Sequence, residues 1–364
     1  MPKATRPRPL KPPFPPMEAR RVSVPPTGPG WQYEPKWDGF RCIVFRDGAK
    51  VFLQSRSGQP LARYFPDLVA AFKALKPRRF VLDGEIVIPV AGRLSFDDLL
   101  LRIHPAASRV KLLSRQHPAL YAAFDLLGDD RGRNLTALPL IERRAALERF
   151  ASVFAGGKSL RLSPVTTSLK EANRWFDATG GDLDGIIAKR VDMPYRPGER
   201  DAMQKVKRRR TADCIVGGYR LAARRKGGKA PVRPPRPLIG SLLLGLYNAA
   251  GELDHVGFTS SFTREERARV TRLVTQIKAA ASFNGRTPGR PSRWSTEAST
   301  KWQPVKPTLV VEVEYDHFTG GRFRHGTKLL RFRPDKQPRL CTTEQADLRT
   351  GSTLPLLIKP RNRR

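Results

Sequence analysis

Residues 34–41 of this 364-residue chain are Glu-Pro-Lys-Trp-Asp-Gly-Phe-Arg, with a lysine, Lys36, at the third position. A lysine close to an aspartate is usually a surface ion pair, so this block alone is a weak signal. Four further blocks follow it in a fixed order, and they are Leu82-Asp83-Gly84-Glu85, Phe124-Asp125, Asp184-Gly185 through Lys189, and Lys205-Val206-Lys207. Together they predict a lysine nucleophile that takes up a nucleotide.

A lysine amine attacks phosphorus only after it has lost its proton, and in solvent its pKa is about 10.4. Lys205 and Lys207 lie two residues apart on a predicted strand and therefore project from one face. If both face Lys36, their charges would lower its pKa and stabilise charge on a phosphate in the transition state. We therefore expect Lys36 to be the nucleophile and Lys205 and Lys207 to assist it.

The net charge of the chain indicates a polyanionic partner. Lysine and arginine total 68 against 33 acidic residues, which gives a net charge of +35. No apolar run approaches the roughly 20 residues of a membrane span, and the first residues do not resemble a signal peptide. Nucleic acid is therefore favoured over a membrane surface.

The cysteines and histidines exclude other classes of chemistry. The three cysteines have no zinc-ligand spacing, and their odd number argues against a disulfide framework, as expected for a reducing cytoplasm. The five histidines have no metal-ligand spacing such as HExxH. We therefore expect catalysis without zinc and without a histidine base.

The composition predicts four segments. Residues 1–30 contain ten prolines, six basic residues and one acid, which predicts an extended lead-in that lies over the first domain. Residues 31–210 mix strands and helices, residues 211–345 consist mainly of short strands, and residues 346–364 form a loose basic tail. The alternative for the lead-in is a phosphate-binding arm.

Periodicity indicates the fold class of the two central segments. Apolar runs around the turn Asp47-Gly48 predict a hairpin, Phe80–Ile88 a strand, and Ile141–Phe150 a helix, so the first domain is α+β with mainly antiparallel sheets. The second domain, with one helix at Thr263–Ile277, suits a five-stranded barrel of the OB type. Residues 224–237 carry six basic residues and no acid, and we expect a DNA-contacting loop there.

In its motif order the chain resembles the covalent nucleotidyltransferases, and specifically the short bacterial ATP-dependent DNA ligases related to the end-joining enzymes. The resemblance covers residues 30–340. It implies a nucleotidyltransferase (adenylation) domain followed by an OB-fold domain, with ATP as AMP donor and Mg²⁺ or Mn²⁺ as metal. It also implies that Lys36 attacks the α-phosphate of ATP and holds AMP as a phosphoramidate.

The resemblance implies nucleotide- or phosphate-binding roles for ten residues, which are Glu34, Asp38, Arg41, Arg56, Glu85, Phe124, Arg200, Arg331, Asp335 and Lys336. Among them, Glu34 corresponds to the reader of the adenine amine, Phe124 to the ring that stacks on adenine, and Glu85 to the ribose-binding glutamate. Without the motif order, Glu34 would be read as a surface carboxylate and Phe124 as a core residue.

The remaining roles concern phosphates and metal. Arg56 stands where the family binds phosphate, Arg41 where it serves the 5′-phosphate, and Asp38 where it supports the ribose and the nick. Asp184 occupies a position where most members have glutamate, and it would help to hold the divalent ion, with Glu85 as a second ligand. Lys189 closes the same block, and we interpret it as a surface strand residue.

Arg200 resembles an arginine that many ligases use on the nucleotide or nick phosphate. The block Arg331-Phe-Arg-Pro-Asp-Lys336 resembles the last ligase motif, which orients pyrophosphate while the lysine is adenylylated. Its distance from Lys36 along the chain implies a second domain that closes over ATP and reopens to hold DNA.

The resulting hypothesis is an ATP-dependent DNA ligase that acts as a monomer on nicked or broken duplex DNA. We expect a bacterial, cytoplasmic, nucleoid-associated repair enzyme, with a DNA end-binding repair protein as a possible partner. Two alternatives stay open: an RNA ligase or capping-type guanylyltransferase, and a catalytically silent nucleic-acid-binding protein. A preference for GTP would favour the guanylyltransferase, and the absence of any covalent adduct would favour the silent protein.

Overall fold

The computed structural model describes residues 9–154, 157–177, 183–207, 210–222, 238–289, 301–346 and 352–358. Contacts divide the chain into two units. Unit 1 comprises Met1–Arg208 with Arg349–Arg364, and unit 2 comprises Arg209–Leu348. The basic loop expected at residues 224–237 lies outside the described residues. Among the described helices, none combines the length and apolar character that crossing a bilayer requires.

Unit 1 contains eleven described strands and five described α-helices besides a short C-terminal one. The strands are β1 Arg20–Val22, β2 Trp31–Trp37, β3 Phe40–Asp47, β4 Lys50–Ser55, β5 Arg79–Val87, β6 Pro89–Val90, β7 Arg93–Leu94, β8 Leu120–Gly128, β9 Leu160–Leu162, β10 Leu183–Arg190 and β11 Met203–Val206. The helices are α1 Pro66–Ala74, α2 Phe96–Leu101, α3 Ala107–Gln116, α4 Leu140–Phe150 and α5 Leu169–Asp177.

Two sheets form the body of unit 1. The five-stranded sheet has the order β4-β3-β5-β8-β9, and only its β8–β9 pair is parallel. The four-stranded sheet has the order β1-β11-β10-β2, and its β1–β11 pair is parallel. The expectation of mainly antiparallel sheets is therefore confirmed for this unit.

Gly185 fixes a close approach inside the four-stranded sheet. Its φ is +145°, and a Cβ added there would lie 1.9 Å from the carbonyl oxygen of Val206 on β11. Only glycine allows both the dihedral angle and the contact. The pairing of β10 with β2 also shifts register between Leu183 and Gly185, so the backbone is irregular at Asp184.

Unit 2 is built mainly from strands. They are β12 Arg210–Leu221, β13 Ile239–Tyr247, β14 Leu253–Thr259, β15 Gln303–Pro304, β16 Val310–Tyr315, β17 Phe318–Thr319, β18 Arg322–Phe323 and β19 Lys328–Phe332. The main sheet has the antiparallel order β14-β13-β12-β16-β19, and β15 adds to β12. Helix α6, Arg264–Gln276, begins with a capping box formed by Thr263 and Glu266.

Most elements expected from periodicity are confirmed. The predicted hairpin corresponds to β3 and β4, with Gly48 at a φ of +60° in the turn. The strand expected at Phe80–Ile88 corresponds to β5, and the helices expected at Ile141–Phe150 and Thr263–Ile277 correspond to α4 and α6. The sequence analysis did not predict α3, whose buried side chains are Val110 and Leu113.

The two terminal segments pack more firmly than their compositions suggest. Met17 in the lead-in is buried, and β1 pairs with β11, so these parts of the lead-in pack on unit 1. The expectation of a loose tail is wrong for residues 352–358. Helix α7, Pro355–Ile358, and the residue before it bury Leu354 and Leu357 in an apolar cluster of unit 1 that includes Trp175.

Leu357→Ala should therefore destabilise the protein by about 2 kcal/mol, because it removes a buried leucine and leaves a cavity. Ile358→Ala is the matched control, since this side chain is 48% exposed and its loss should cost less than about 0.5 kcal/mol. Urea denaturation of the two variants measures the difference. Equal midpoints would contradict the packing described for α7.

Candidate active site

A pocket of about 910 Å³ lies within unit 1, between the two sheets. Ligand pockets commonly have volumes of about 300–1,000 Å³, so a nucleotide-sized ligand is in range. Eight of the residues expected at the site line it, and they are Glu34, Lys36, Arg41, Arg56, Glu85, Phe124, Lys205 and Lys207. They come from six separate strands and the segments beside them, which explains why the motifs are scattered along the chain.

Lys36 lies on β2 and forms an ion pair with Asp184 on β10. Burial lowers the pKa of Lys36, but the contact with Asp184 and the negative charges of Glu85 and Asp38 together raise it by more, so the net pKa lies above the ordinary value. The expectation of a lowered pKa for Lys36 is therefore wrong. The physical reason is the combined attraction of these carboxylates, which outweighs the effect of burial.

Asp184 is shared between two lysines, because its Oδ2 also lies 2.8 Å from Nζ of Lys207. The pKa of Lys205 is lowered, first by burial and then by the charges of Lys36 and Lys207. The three ammonium groups and one carboxylate form a compact cationic cluster. Such a cluster suits a ligand that carries several negative charges.

A second buried ion pair lies deeper in the pocket. Nζ of Lys189 is 2.8 Å from Oε2 of Glu34, and each side chain is 3% exposed. The contact is an ion pair rather than a well-aligned hydrogen bond. The amide of Gln32 donates a hydrogen bond of 2.9 Å to the other Glu34 oxygen. Both surface interpretations, of Glu34 as well as of Lys189, are thereby excluded.

Phe124 lies between the Glu34–Lys189 pair and Arg41. Nζ of Lys189 lies 4.5 Å from its ring centroid, and the Arg41 guanidinium lies 5.4 Å from it. Arg41 in turn donates two hydrogen bonds, of 3.1 and 2.6 Å, to the fully buried Asp83. Tyr195 donates a further hydrogen bond of 2.7 Å to Asp83. The two hydrogen bonds to one carboxylate fix the orientation of the Arg41 guanidinium.

Glu85 is a carboxyl group with an unusual pKa. Burial raises the pKa of Glu85 to about 8, against the lowering effect of Lys36 and Arg41. Asp38 raises it further through its own negative charge. Near neutral pH the protonated form of Glu85 is therefore favoured, and a further positive charge beside it would favour the carboxylate.

Arg56 and Arg200 meet on a single carboxylate. Glu18 accepts from Arg56 at 2.7 Å through one oxygen and from Arg200 at 2.5 Å through the other. Arg56 and Glu18 line the pocket, whereas Arg200 does not. The two arginines expected to bind phosphate are thus brought together by a residue that the sequence did not single out.

The remaining candidates lie in unit 2. Arg331 is paired with Glu312 at 2.6 Å, and Lys336 lies 3.7 Å from Asp213. Arg333 donates to Asp213 as well as to Asp335, and its hydrogen bonds lower the pKa of Asp335 to about 2. Asp335 thus holds Arg333 in position.

Five residues that contact the expected site residues were given no role from the sequence, and they are Glu18, Gln32, Asp83, Lys189 and Arg333. A signal existed for two of them. Asp83 and Lys189 interrupt apolar strands, where an ionised side chain needs a buried partner. Glu18 and Gln32 lie in segments whose composition carries no such signal, since their importance depends on neighbours distant in the chain.

The donors available for a metal ion are few. Among the described residues, no group of three or more His, Cys, Asp and Glu side chains lies close enough to hold a metal. Mg²⁺ is commonly bound by one or two carboxylates together with phosphate oxygens of the substrate. Asp184 and Glu85 could supply these one or two carboxylates, because each lies beside Lys36 and the cationic cluster that would hold the phosphates.

Comparisons with known proteins bear on the family to which the chain belongs. Residues 17–207 match the family model described as ATP dependent DNA ligase domain, and residues 235–336 match ATP dependent DNA ligase C terminal region. The chain is 46% identical to DNA ligase C2 of Mycolicibacterium smegmatis, over 93% of this chain and 96% of that protein.

Two further similarities are to a longer protein and to a solved structure. It is 31% identical to the Mycobacterium tuberculosis multifunctional non-homologous end joining DNA repair protein LigD, over 85% of this chain and 37% of that protein. A solved structure from work on Lig E DNA ligases covers 88% of this chain and 99% of its own, with a TM-score of 0.51 and 17% identity. This structural likeness concerns the fold alone.

The Glu34–Lys189 pair makes a testable contribution to stability. Lys189→Met should destabilise the protein by about 3 kcal/mol, because it leaves the Glu34 carboxylate buried without its cation. The double variant Glu34→Gln, Lys189→Met should recover most of the loss. Lys111→Met, at an exposed position of α3, is the control, and urea denaturation is the measurement. A Lys189→Met midpoint equal to that of the control would contradict the pair.

The Lys36–Asp184 pair predicts a change in amine reactivity. Asp184→Asn should lower the pKa of Lys36, because it removes the charge that stabilises the ammonium form. An amine-reactive acylating reagent, with peptide mass spectrometry as readout, should then label Lys36 severalfold faster at a fixed mildly alkaline pH. Asp130→Asn, which changes an exposed carboxylate elsewhere, should leave labelling unchanged. Unchanged or slower labelling in Asp184→Asn would refute the pairing.

Proposed function

Because this chain belongs to the ATP-dependent DNA ligase family, we propose that Lys36 is the residue to which it transfers AMP. The chain is an ATP-dependent DNA ligase that seals 5′-phosphate and 3′-hydroxyl ends through a covalent lysyl-AMP intermediate. The observation that carries the assignment of Lys36 is its place in the pocket, with Asp184, Lys205 and Lys207 around it.

In the first step the Lys36 amine attacks the α-phosphorus of ATP, a phosphorus–nitrogen bond forms, and the bond to pyrophosphate breaks. The amine must first lose its proton, which requires that the charge of Asp184, which stabilises the ammonium form, be neutralised. Lys205 and Lys207 then face the negative charge that develops on the α-phosphate oxygens. AMP next passes to the 5′-phosphate of DNA, and attack by the 3′-hydroxyl releases it as the strand is sealed.

The base of ATP is assigned to the deeper half of the pocket. Glu34 accepts the hydrogen bond of the adenine amine, and the flat face of Phe124 stacks on the ring. Gln32 and Lys189 hold the Glu34 carboxylate from both sides, so its orientation is set before the nucleotide arrives. Guanine presents an oxygen where adenine has its amine, and the fixed carboxylate repels it. Glu85 and Asp38 are assigned to the ribose side.

Mg²⁺ or Mn²⁺ is the metal that we assign to Asp184 and Glu85, completed by phosphate oxygens of ATP. When bound, such an ion neutralises phosphate charge during nucleotidyl transfer. The protein's own part is to keep two carboxyl groups beside Lys36. Asp184 is ionised and paired, while Glu85, with a pKa of about 8, becomes ionised when a cation approaches.

We infer that unit 2 is an OB-type barrel. The strand order β14-β13-β12-β16-β19 supports this, and a parallel bridge joins Thr259 at the end of β14 to Thr327 beside β19. Helix α6 lies between the third and fourth of these strands along the chain, as in a Greek-key barrel of this type. No main sheet closes fully in the described residues. Arg331, Asp335 and Lys336 are assigned to the pyrophosphate of ATP, with Arg333 beside them.

The domain limits and the biological setting remain proposals. We assign residues 31–210 to adenylation and 211–345 to the second domain, in line with the two units. Nicked or broken duplex DNA is the proposed substrate, bound by a monomer in the bacterial cytoplasm at the nucleoid. The similarity to a non-homologous end joining DNA repair protein supports a role in repair, together with a DNA end-binding partner.

Lys36→Ala should abolish the AMP adduct, which intact-mass measurement detects after incubation with ATP and Mg²⁺. The variant should still seal a nick that already carries 5′-AMP, because that step does not use the lysine amine as nucleophile. Lys111→Ala, which changes an exposed helical lysine, should form the adduct like the unaltered protein. GTP and NAD are tested in parallel, and the protein is first checked for AMP already bound.

Three results would overturn this assignment. Adduct formation by Lys36→Ala would place the nucleophile elsewhere. Failure of this variant on pre-adenylylated DNA would show that the lysine is needed in the sealing step too. An adduct with GTP instead of ATP would favour the capping-type guanylyltransferase.

A further inference from the structure

The segment before β2 forms a strap across unit 1, defined here as residues 14–22. Backbone groups of Phe14 exchange two hydrogen bonds with the side chain of Gln54, at 2.8 and 2.6 Å. The Met17 amide donates to the Tyr195 hydroxyl at 2.9 Å, and the strap then pairs with β11 as β1. The strap is thus fixed on both sides of Glu18.

The backbone of Glu18 is fixed by a hydrogen bond, and its side chain points toward the pocket. Its amide donates to the carbonyl of Glu199 at 2.8 Å, and the carboxylate lines the pocket. Arg56 donates from Nε and from a terminal nitrogen to one carboxylate oxygen, at 3.2 and 2.7 Å. Arg200 does the same to the other oxygen, at 2.7 and 2.5 Å.

The arrangement is the one that two arginines make around a phosphate. A guanidinium fork binds carboxylate and phosphate oxygens in the same geometry, so a carboxylate can occupy a phosphate site. The Arg56 and Arg200 side chains are 61% and 65% exposed, whereas that of Glu18 is 22% exposed. Ion pairs at this exposure are weak and exchange readily for a competing anion.

The charge around the three residues favours such an exchange. Lys205 is close enough to Glu18 and to Arg56 for their charges to shift its pKa in opposite directions. The same charges that stabilise Glu18 attract an incoming phosphate. The exposure of the two arginines suits a polymer that approaches from solvent better than a small ligand held deep in the pocket.

We propose that Glu18 is an internal substitute for a DNA phosphate and occupies the place between Arg56 and Arg200 until DNA displaces it. The proposal rests on the assignment of the chain as a DNA ligase and is independent of the role given to Lys36. The phosphate is either the 5′-phosphate at the break or a phosphate of the continuous backbone. These two sources share the same chemistry.

The test is the affinity of the full chain for duplex DNA, measured by fluorescence anisotropy across a salt series. Glu18→Gln should bind a nicked duplex about three- to tenfold more tightly at low salt, with a slope of log affinity against log salt steeper by about one. The matched control is Glu199→Gln, which removes a neighbouring exposed carboxylate whose described ion-pair partner is Arg196. It corrects for the general effect of one less negative charge.

Three DNA substrates identify the phosphate. A gain that is present with a 5′-phosphate nick and absent with a 5′-hydroxyl nick assigns the site to the end phosphate. An equal gain on both, and on an uninterrupted duplex, assigns it to the backbone. In the double variant Glu18→Gln, Arg56→Ala the gain should disappear. Glu18→Ala repeats the measurement should Glu18→Gln fold poorly.

The opposite outcome has a clear meaning. If Glu18 only holds the arginines in position for DNA, Glu18→Gln will bind more weakly than the Glu199→Gln control, and the proposal is overturned. Affinity equal to that of the control overturns it as well. These results are separate from the ligase assignment, which is judged by the AMP adduct of the unaltered protein. A missing adduct would refute the proposed mechanism, whereas the DNA affinities would still test the role of Glu18.

Discussion

Burying lysines in a nucleotide-sized pocket requires carboxylates beside them, and the pairing of β2 with β10 supplies these carboxylates. In this ladder Gly185 lies opposite Lys36, Ile187 opposite Glu34, and Lys189 opposite Gln32. A shift of one residue would turn the charged side chains to the opposite face of the sheet and separate both ion pairs. A buried ammonium that loses its partner is strongly unfavourable, so the electrostatics and the strand register stabilise the same arrangement.

The irregularity at Asp184 is part of this arrangement. The register shifts between Leu183 and Gly185, and the positive φ of Gly185 lets the backbone pass within contact distance of Val206. Asp184 thereby reaches Lys36 on one neighbouring strand and Lys207, just beyond the other. Irregular strand pairing is common where a side chain must be redirected at a functional site. The shorter aspartate, in place of the usual glutamate, is therefore compatible with direct contact to both lysines.

The sequence was sufficient for elements whose signal is local and insufficient for interactions that depend on distant pairs. Apolar alternation and the Asp47-Gly48 turn predicted the hairpin, and helical spacing predicted α4 and α6. The rise in the pKa of Lys36 could not be predicted, because it depends on how close Asp184, Glu85 and Asp38 come to the amine. Gln32 and Glu18 were missed for the same reason. Composition also misled at residues 352–358, because the basic residues on either side outweighed the short apolar run that contains the two leucines packed on unit 1.

Most of the cationic groups expected to bind phosphate are already held by the chain's own carboxylates. The pairs are Lys36 and Lys207 with Asp184, Arg56 and Arg200 with Glu18, and Arg331 with Glu312. Phosphate binding is then an exchange of one anion for another, and its free energy is a difference between two similar interactions. A protein with a net charge of +35 would otherwise hold any polyanion through single contacts. Because each contact replaces an existing ion pair, a single contact contributes little to the binding free energy. Strong binding therefore requires a ligand that contacts several of these groups together, as a nucleotide or a correctly placed DNA end does.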